Sequence, residues 1–274
     1  MHYAPVKIFK GQAFIKIPQK APMSQKIITF DLDETLGSFG YLYLLWKILY
    51  PFIPISIESS VVFRELLKIY PEFLRPGIIP ILEFLDYKKK TDICSRVFLY
   101  TNNQCPPEWV HRILKYFDEK IPNIFDQAIY AFKIGDQRIE PLRTRHSKTY
   151  SDLIRCTLIP KNSEICFIDN SYHPKMVNER VYYIQPRSYE HGLSGGDIIE
   201  RFIKEWTLFS LPIDFENQLH INCRFHKTIT SDPSTSTVSQ KIMYHLKEYF
   251  LLSTKVAKTK KIAWHLGRFT RKKR

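Results

Sequence analysis

Two aspartates stand two residues apart, Asp31 and Asp33, directly after the apolar run 26–30 (KIITF). Carboxylates at the end of a buried segment are costly unless they are paired, protonated or bound to a metal ion. Thr35 follows in the same text, DLDETL. A second apolar run, Ser95 to Tyr100 (SRVFLY), ends in Thr101, Asn102, Asn103 and Gln104. A third, Glu164 to Asp169 (EICFID), continues into Asn170 and Ser171. Each stretch alone reads as a turn, a cap or a strand-end threonine. Together, three strands deliver hydroxyl, carboxylate and amide groups to one rim. In open α/β sheets ligands bind beyond the carboxyl ends of the strands.

Such a rim needs a parallel sheet to hold it. Buried strands are expected over Lys26 to Asp31, Ser95 to Tyr100 and Glu164 to Asp169, with a fourth at Val181 to Ile184 and a short one over Asp126 to Phe132. Between them lie helical patterns. Ile78 to Lys88 is opened by Arg75, Pro76 and Gly77, and Pro106 to Tyr116 begins with prolines, as helix starts do. Ser147 to Cys156 starts from a serine cap, and Asp197 to Trp206 closes the series. Strands alternating with amphipathic helices predict an α/β fold, a Rossmann-like parallel sheet with flanking helices. Residues 1–24 read as an N-terminal extension and 25–205 as the domain. Residues 37–74, aromatic and punctuated by prolines, read as an insertion of one or two helices after the first strand. Its stripe of Tyr41, Trp46 and Phe63 is expected to be core. Gly192 to Gly196 reads as a turn, because it lacks the spacing of a phosphate loop. Beyond Leu211 the rhythm fades. Residues 206–274 read as a C-terminal extension, in which a loop (SDPSTST) precedes a last helix, Val238 to Leu252, and a basic tail.

Composition removes several classes. The chain has 274 residues, 44% of them hydrophobic, which excludes wholesale disorder. Its 9 glycines have no period, which excludes collagen-like repeats. Five cysteines are spread singly, which argues against a disulfide framework or a structural zinc site and for a reducing compartment. The first 20 residues have no apolar core, so no secretory signal is expected. The most apolar stretch, Tyr41 to Ile57, is broken by Lys47, Pro51 and Pro54, so no membrane span is expected. Of the net charge of +14, +10 lies in residues 241–274, which carry 11 basic residues against the single acid Glu248. A basic tail of this kind suits nucleic acid or another polyanion, or a nuclear address. The setting expected is intracellular, cytoplasmic or nuclear.

The motifs resemble those of the haloacid dehalogenase superfamily of aspartate-based phosphatases. Its D-x-D-x-T stands at Asp31, Asp33 and Thr35, its strand-end Thr or Ser at Thr101, its basic third motif at Lys148, and its acidic fourth at Asp169. Lys133, Lys161, Arg143 and Arg145 compete with Lys148 for the third role. Within the superfamily the chain looks most like the RNA polymerase II C-terminal-domain phosphatases and their small NLI-interacting-factor-like relatives. Four features carry that likeness: DLDETL, the RPG at Arg75 to Gly77, Lys148 before SDL, and IDNS at Ile168 to Ser171. Its composition also resembles divergent copies in large DNA viruses. The likeness departs at Tyr172 and His173, where the branch has proline, and at Asn102 and Asn103, where it has small residues. His173, just beyond the fourth motif, reads as a surface histidine, with contact to substrate as the alternative.

The resemblance implies a role for each residue. Asp31 would attack phosphorus to give an aspartyl-phosphate, and Asp33 would act as acid and then base. Thr101, Asn102 and Lys148 would bind the phosphoryl group. Mg²⁺ would be held by Asp31, the Asp33 carbonyl and Asn170, with Asp169 supporting the metal waters and orienting Lys148. The activity implied is Mg²⁺-dependent hydrolysis of a phosphomonoester, with phosphoserine or phosphothreonine in protein as substrate. Two other readings use the same fold: a nucleic-acid 3′-end phosphatase or nucleotidase, and a catalytically idle adaptor.

Overall fold

The computed structural model describes residues 5–15, 24–223 and 236–252. Among the described residues eight strands are present: β1 (Val6–Lys10), β2 (Lys26–Phe30), β3 (Arg96–Tyr100), β4 (Gln127–Ile129), β5 (Lys133–Ile134), β6 (Gln137–Arg138), β7 (Glu164–Ile168) and β8 (Val181–Pro186). The helices are α1 (Phe39–Leu49), α2 (Ser59–Ile69), α3 (Ile78–Lys90), α4 (Pro107–Lys120), α5 (Tyr150–Thr157), α6 (Gly195–Glu205), α7 (Ile213–Cys223) and α8 (236–252).

Six strands form the main sheet in the order β1-β8-β7-β2-β3-β4. Neighbours from β8 to β4 are parallel, and β1 closes the edge antiparallel to β8. The central strands are near-continuous apolar runs because both faces are covered. Alternate side chains serve opposite faces. Ile28, Phe30, Val97, Leu99, Cys166 and Ile168 pack under most of the helices. Ile27, Phe98, Tyr100, Ile165 and Phe167 pack against α5. The connections from β2 to β3 and from β3 to β4 run over the first face, through α1 to α4. The return from β4 to β7 runs over the second, through α5. The chain therefore changes direction between β2 and β7, and the crevice at such a reversal is where open α/β sheets bind ligands.

The insertion holds two helices, α1 and α2, and both lie in the layer on the first face. Phe39 packs on Phe117, and Trp46 and Phe63 pack on Trp109, both of these partners from α4. Its two ends meet where Ser38 N donates to Phe73 O at 2.8 Å. Gly37 is required there, because a Cβ would stand 2.4 Å from the Phe73 carbonyl oxygen. Gly77, at φ 80°, turns the chain into α3 in the left-handed region that glycine favours.

Several expectations need correction. Residues 1–24 are not simply an extension, since Val6–Lys10 is a strand of the sheet, in register from Val6 opposite Pro186 to Lys10 opposite Tyr182. Nor does the core end at residue 205. Phe215, Leu219 and Cys223 of α7 and Val238, Ile242, Leu246, Tyr249 and Phe250 of α8 are buried in the same cluster as the strands. Lys10 Nζ meets Glu248 Oε1 at 2.6 Å, and the Tyr182 hydroxyl donates to the same carboxylate, so α8 is fastened to the sheet edge. Thr149 caps α5, not Ser147: its Oγ1 accepts from Asp152 N at 3.0 Å, while Ser147 is exposed. Gly195 and Gly196 begin α6 under a capping box formed by Ser194 and Asp197. The strand expected within 126–132 is shorter and is followed by the hairpin β5-β6. Of the expected loop SDPSTST, residues 231–235 lie outside the described residues and 236–237 already belong to α8; the tail beyond residue 252 also lies outside them. Among the described residues no helix is long and apolar enough to cross a membrane, and all five cysteines are free thiols.

Candidate functional site

The site sits at the direction change. Asp31 N donates to Ile168 O at 2.9 Å, Thr101 N to Ile129 O at 2.9 Å and Asp169 N to Ile184 O at 3.2 Å. These three residues each continue a strand ladder by one step, which fixes them at the carboxyl ends of β2, β3 and β7. All three are buried. Lys148 comes from the opposite layer, immediately before the Thr149 cap of α5.

The lysine joins two carboxylates. Its Nζ lies 2.5 Å from Asp31 Oδ1 and 2.6 Å from Asp169 Oδ2, and it is 2% exposed. Burial alone would discharge such an ammonium, but the two carboxylates outweigh it and raise the Lys148 pKa. They share it unequally. Burial raises Asp31 to about 7 against the pull of Lys148. Burial acts on Asp169 too, but Lys148 and His173 overcome it and hold this carboxyl below its ordinary value. His173 Nε2 stands 3.2 Å from Asp169 Oδ2. It is therefore not the surface histidine expected. Its ring turns inward as a neighbour of the site.

Asp33 lies two residues beyond Asp31, in a turn where Glu34 takes the left-handed conformation at φ 53°. Its Oδ2 accepts from Asn103 Nδ2 at 2.8 Å, and its Oδ1 is buried with no hydrogen-bond partner. Burial raises its pKa, and Asn103 and Lys148 oppose the rise.

Asn170 closes the arrangement. One atom of its carboxamide lies 3.2 Å from Asp31 Oδ2, 3.1 Å from the Asp33 carbonyl oxygen and 2.9 Å from Thr35 Oγ1. The other lies 2.9 Å from Ser188 Oγ. With nitrogen inward, the amide donates into this ring. With oxygen inward, Asn170 Oδ1 stands 3.2 Å from Asp31 Oδ2 and 3.1 Å from the Asp33 carbonyl oxygen, near the ~3 Å edge of an octahedral magnesium shell. Among the described residues no three His, Cys, Asp or Glu side chains cluster as a metal site. The set here is one carboxylate, one carbonyl and one carboxamide, the few protein oxygens that magnesium takes while keeping several waters.

The structure thus brings together Asp31, Asp33, Thr35, Thr101, Lys148, Asp169 and Asn170. Asn102 shares the rim, but its Oδ1 accepts from Arg143 Nη2 at 2.7 Å. Of the competing bases, Arg145 and Lys161 are exposed, Lys133 lies in the β5-β6 hairpin, and Arg143 is buried beneath the rim.

Two residues under the rim were not foreseen as supports. Arg75 donates from Nε to Thr35 O at 2.6 Å and from Nη2 to Glu34 O at 2.5 Å and Arg187 O at 2.9 Å. Arg143 donates from Nη1 to Thr101 O at 3.0 Å and Tyr130 O at 2.7 Å, and from Nη2 to His146 O at 2.7 Å. Each guanidinium also lies over a tyrosine ring, Tyr189 and Tyr100 respectively. The signal for Arg75 was its RPG setting; Arg143 had none beyond its charge. Compared with protein-family models, with curated proteins and with solved structures, the chain matches none.

Proposed function

We propose that this chain is a magnesium-dependent phosphomonoester hydrolase of the haloacid dehalogenase type, working through an aspartyl-phosphate. The observation that carries the reading is Lys148 held between Asp31 and Asp169 at the sheet's direction change, with Asp33 and Thr101 beside it. Asp31 Oδ1, the oxygen near Lys148, attacks phosphorus in line as the ester P–O bond breaks. Asp33 gives its proton to the departing oxygen. It then takes a proton from a water whose oxygen joins phosphorus, and the bond to Asp31 is released. Lys148 and the Thr101 hydroxyl steady the phosphoryl oxygens.

Three carboxylates face one ammonium in this cluster, so a phosphate dianion meets net negative charge unless a cation is present. Asp31, the Asp33 carbonyl and Asn170 are the residues that would hold magnesium, with Asp169 behind them. When bound, the ion supplies charge neutralisation at the transferring phosphoryl group.

The substrate favoured is phosphoserine or phosphothreonine in protein. The insertion packs beside the sheet, while Ser171 and Tyr172 at the rim are exposed, an open setting that suits a side chain presented on a larger molecule. The basic tail keeps a second reading in play, a nucleic-acid 3′-end phosphatase. Free cysteines favour a reducing compartment.

The test is hydrolysis of an aryl phosphate with Mg²⁺ and with chelator, beside Asp31→Asn. Metal-dependent turnover is expected, falling by more than about a thousandfold in Asp31→Asn. Folded protein without turnover, or turnover that survives Asp31→Asn, would remove the covalent reading. Phosphopeptides set against 3′-phosphorylated oligonucleotides then choose the substrate.

A further inference from the structure

Asp33 must hold one orientation through two proton transfers, yet a carboxyl on a turn rotates freely unless something grips it. The structure supplies one grip. Asn103 Nδ2 donates to Asp33 Oδ2 at 2.8 Å. Asn103 is itself fixed, since its Oδ1 accepts from Cys105 N at 2.8 Å and its own N donates to Thr101 Oγ1 at 2.9 Å. A backbone N–H can only donate, so the amide oxygen must face Cys105 and the amide nitrogen must face Asp33. Unlike Asn170, Asn103 has no alternative orientation. The loop beneath it is braced in turn by Arg143, which donates to Thr101 O and Asn102 Oδ1.

We propose, resting on the phosphatase reading above, that Asn103 is a positioning residue that aims the Asp33 carboxyl at the leaving oxygen and afterwards at the attacking water. In the first step a proton passes from Asp33 to the ester oxygen as its bond to phosphorus breaks. In the second a water proton returns to Asp33 as the water oxygen bonds phosphorus and Asp31 is freed. Asn103 exchanges no proton in either step.

The two steps depend on Asp33 differently for different leaving groups. A good phenolate departs without protonation, whereas the alkoxide of a serine side chain does not. Asn103→Asp keeps an acceptor for Cys105 N but replaces the donor facing Asp33 with a repelling oxygen. Asn103→Ala removes both bonds. Folding of each variant is checked by its melting curve. On a phosphoserine peptide kcat should fall about a hundredfold in Asn103→Asp and about tenfold in Asn103→Ala, with KM changing by less than about threefold. On p-nitrophenyl phosphate both variants should release a burst approaching one phenolate per protein and then turn over slowly, with phosphoenzyme recovered after an acid quench. Equal losses on both substrates without a burst, or no loss in either variant, would overturn the assignment while wild-type turnover leaves the phosphatase reading standing. An inactive wild type would overturn both.

Discussion

Lys148 on one side, and Arg75 and Arg143 on the other, are buried cations held in opposite ways. Both hydrogen-bond partners of Lys148 are carboxylates. The arginines bond to carbonyl oxygens, and no carboxylate is among their hydrogen-bond partners. The chemistry of the two cations accounts for the division. An ammonium is a compact charge that fits between two anions, whereas a guanidinium is a planar fan of donors that can gather several carbonyls from different loops. The difference separates two tasks. Arg75 ties the turn after β2 to the segment after β8, and Arg143 ties the loop after β3 to the approach to Lys148. Lys148 sets the charge of the two aspartates.

The largest expected effect comes from breaking the lysine side. Lys148→Met should cost turnover about a thousandfold or more, and it leaves two carboxylates buried together. Their folded pKa values then rise, so stability is retained at low pH and lost as pH climbs. Melting curves should show a deficit of about 3–5 kcal/mol at alkaline pH that narrows near pH 5. An equal deficit at both values would mean that Lys148 is not paired as described. Wild type has a milder version of the same slope. Asp31, raised to about 7, contributes stability that is full below its ordinary pKa and is lost as pH rises through about 7. Asp169, held low, acts the other way, and its contribution disappears in acid.

Breaking the arginine side should look different. Arg75→Met or Arg143→Met strips three or four acceptors of their donor, and a loss of about 3 kcal/mol is expected with little dependence on pH. Turnover and stability should fall together, and lysine at either position should not restore them. A variant that melted normally but lost activity would move that arginine to the chemical side of the comparison. The smallest effect sharpens the link between the two tasks. Thr149→Ala removes the cap beside Lys148 and should cost about 1 kcal/mol, with turnover changed only a few-fold. A larger loss of turnover would show that the cap fixes the ammonium as well as the helix.

The sequence made one side of this comparison readable and hid the other. The strands β2, β3 and β7 are legible because burial on both faces makes each a continuous apolar run, and the polar residues at their ends mark the rim. Asp31, Asp33, Thr101 and Asp169 could therefore be picked out. Lys148 was harder, since it precedes its helix and other basic residues lay nearby. Arg143 resembles a surface residue in any sequence reading, because charged side chains are rarely fully buried. The grip of Asn103 depends on two loops 70 residues apart. β1 was missed because VKIFK is half-exposed along an edge. The helix α7 was missed because its apolar residues form no strong stripe, although Phe215, Leu219 and Cys223 reach the core.

The pairing of Val6 with Pro186 also orders events during synthesis. β1 leaves the ribosome long before β8, the strand it pairs with. The lysine at its end, Lys10, waits longer still, until Glu248 of α8 has been made. The parallel strands between can begin to assemble before either closure. The two ends of the described fold are thus joined late, and a nascent chain halted before residue 181 would carry β1 without its strand partner.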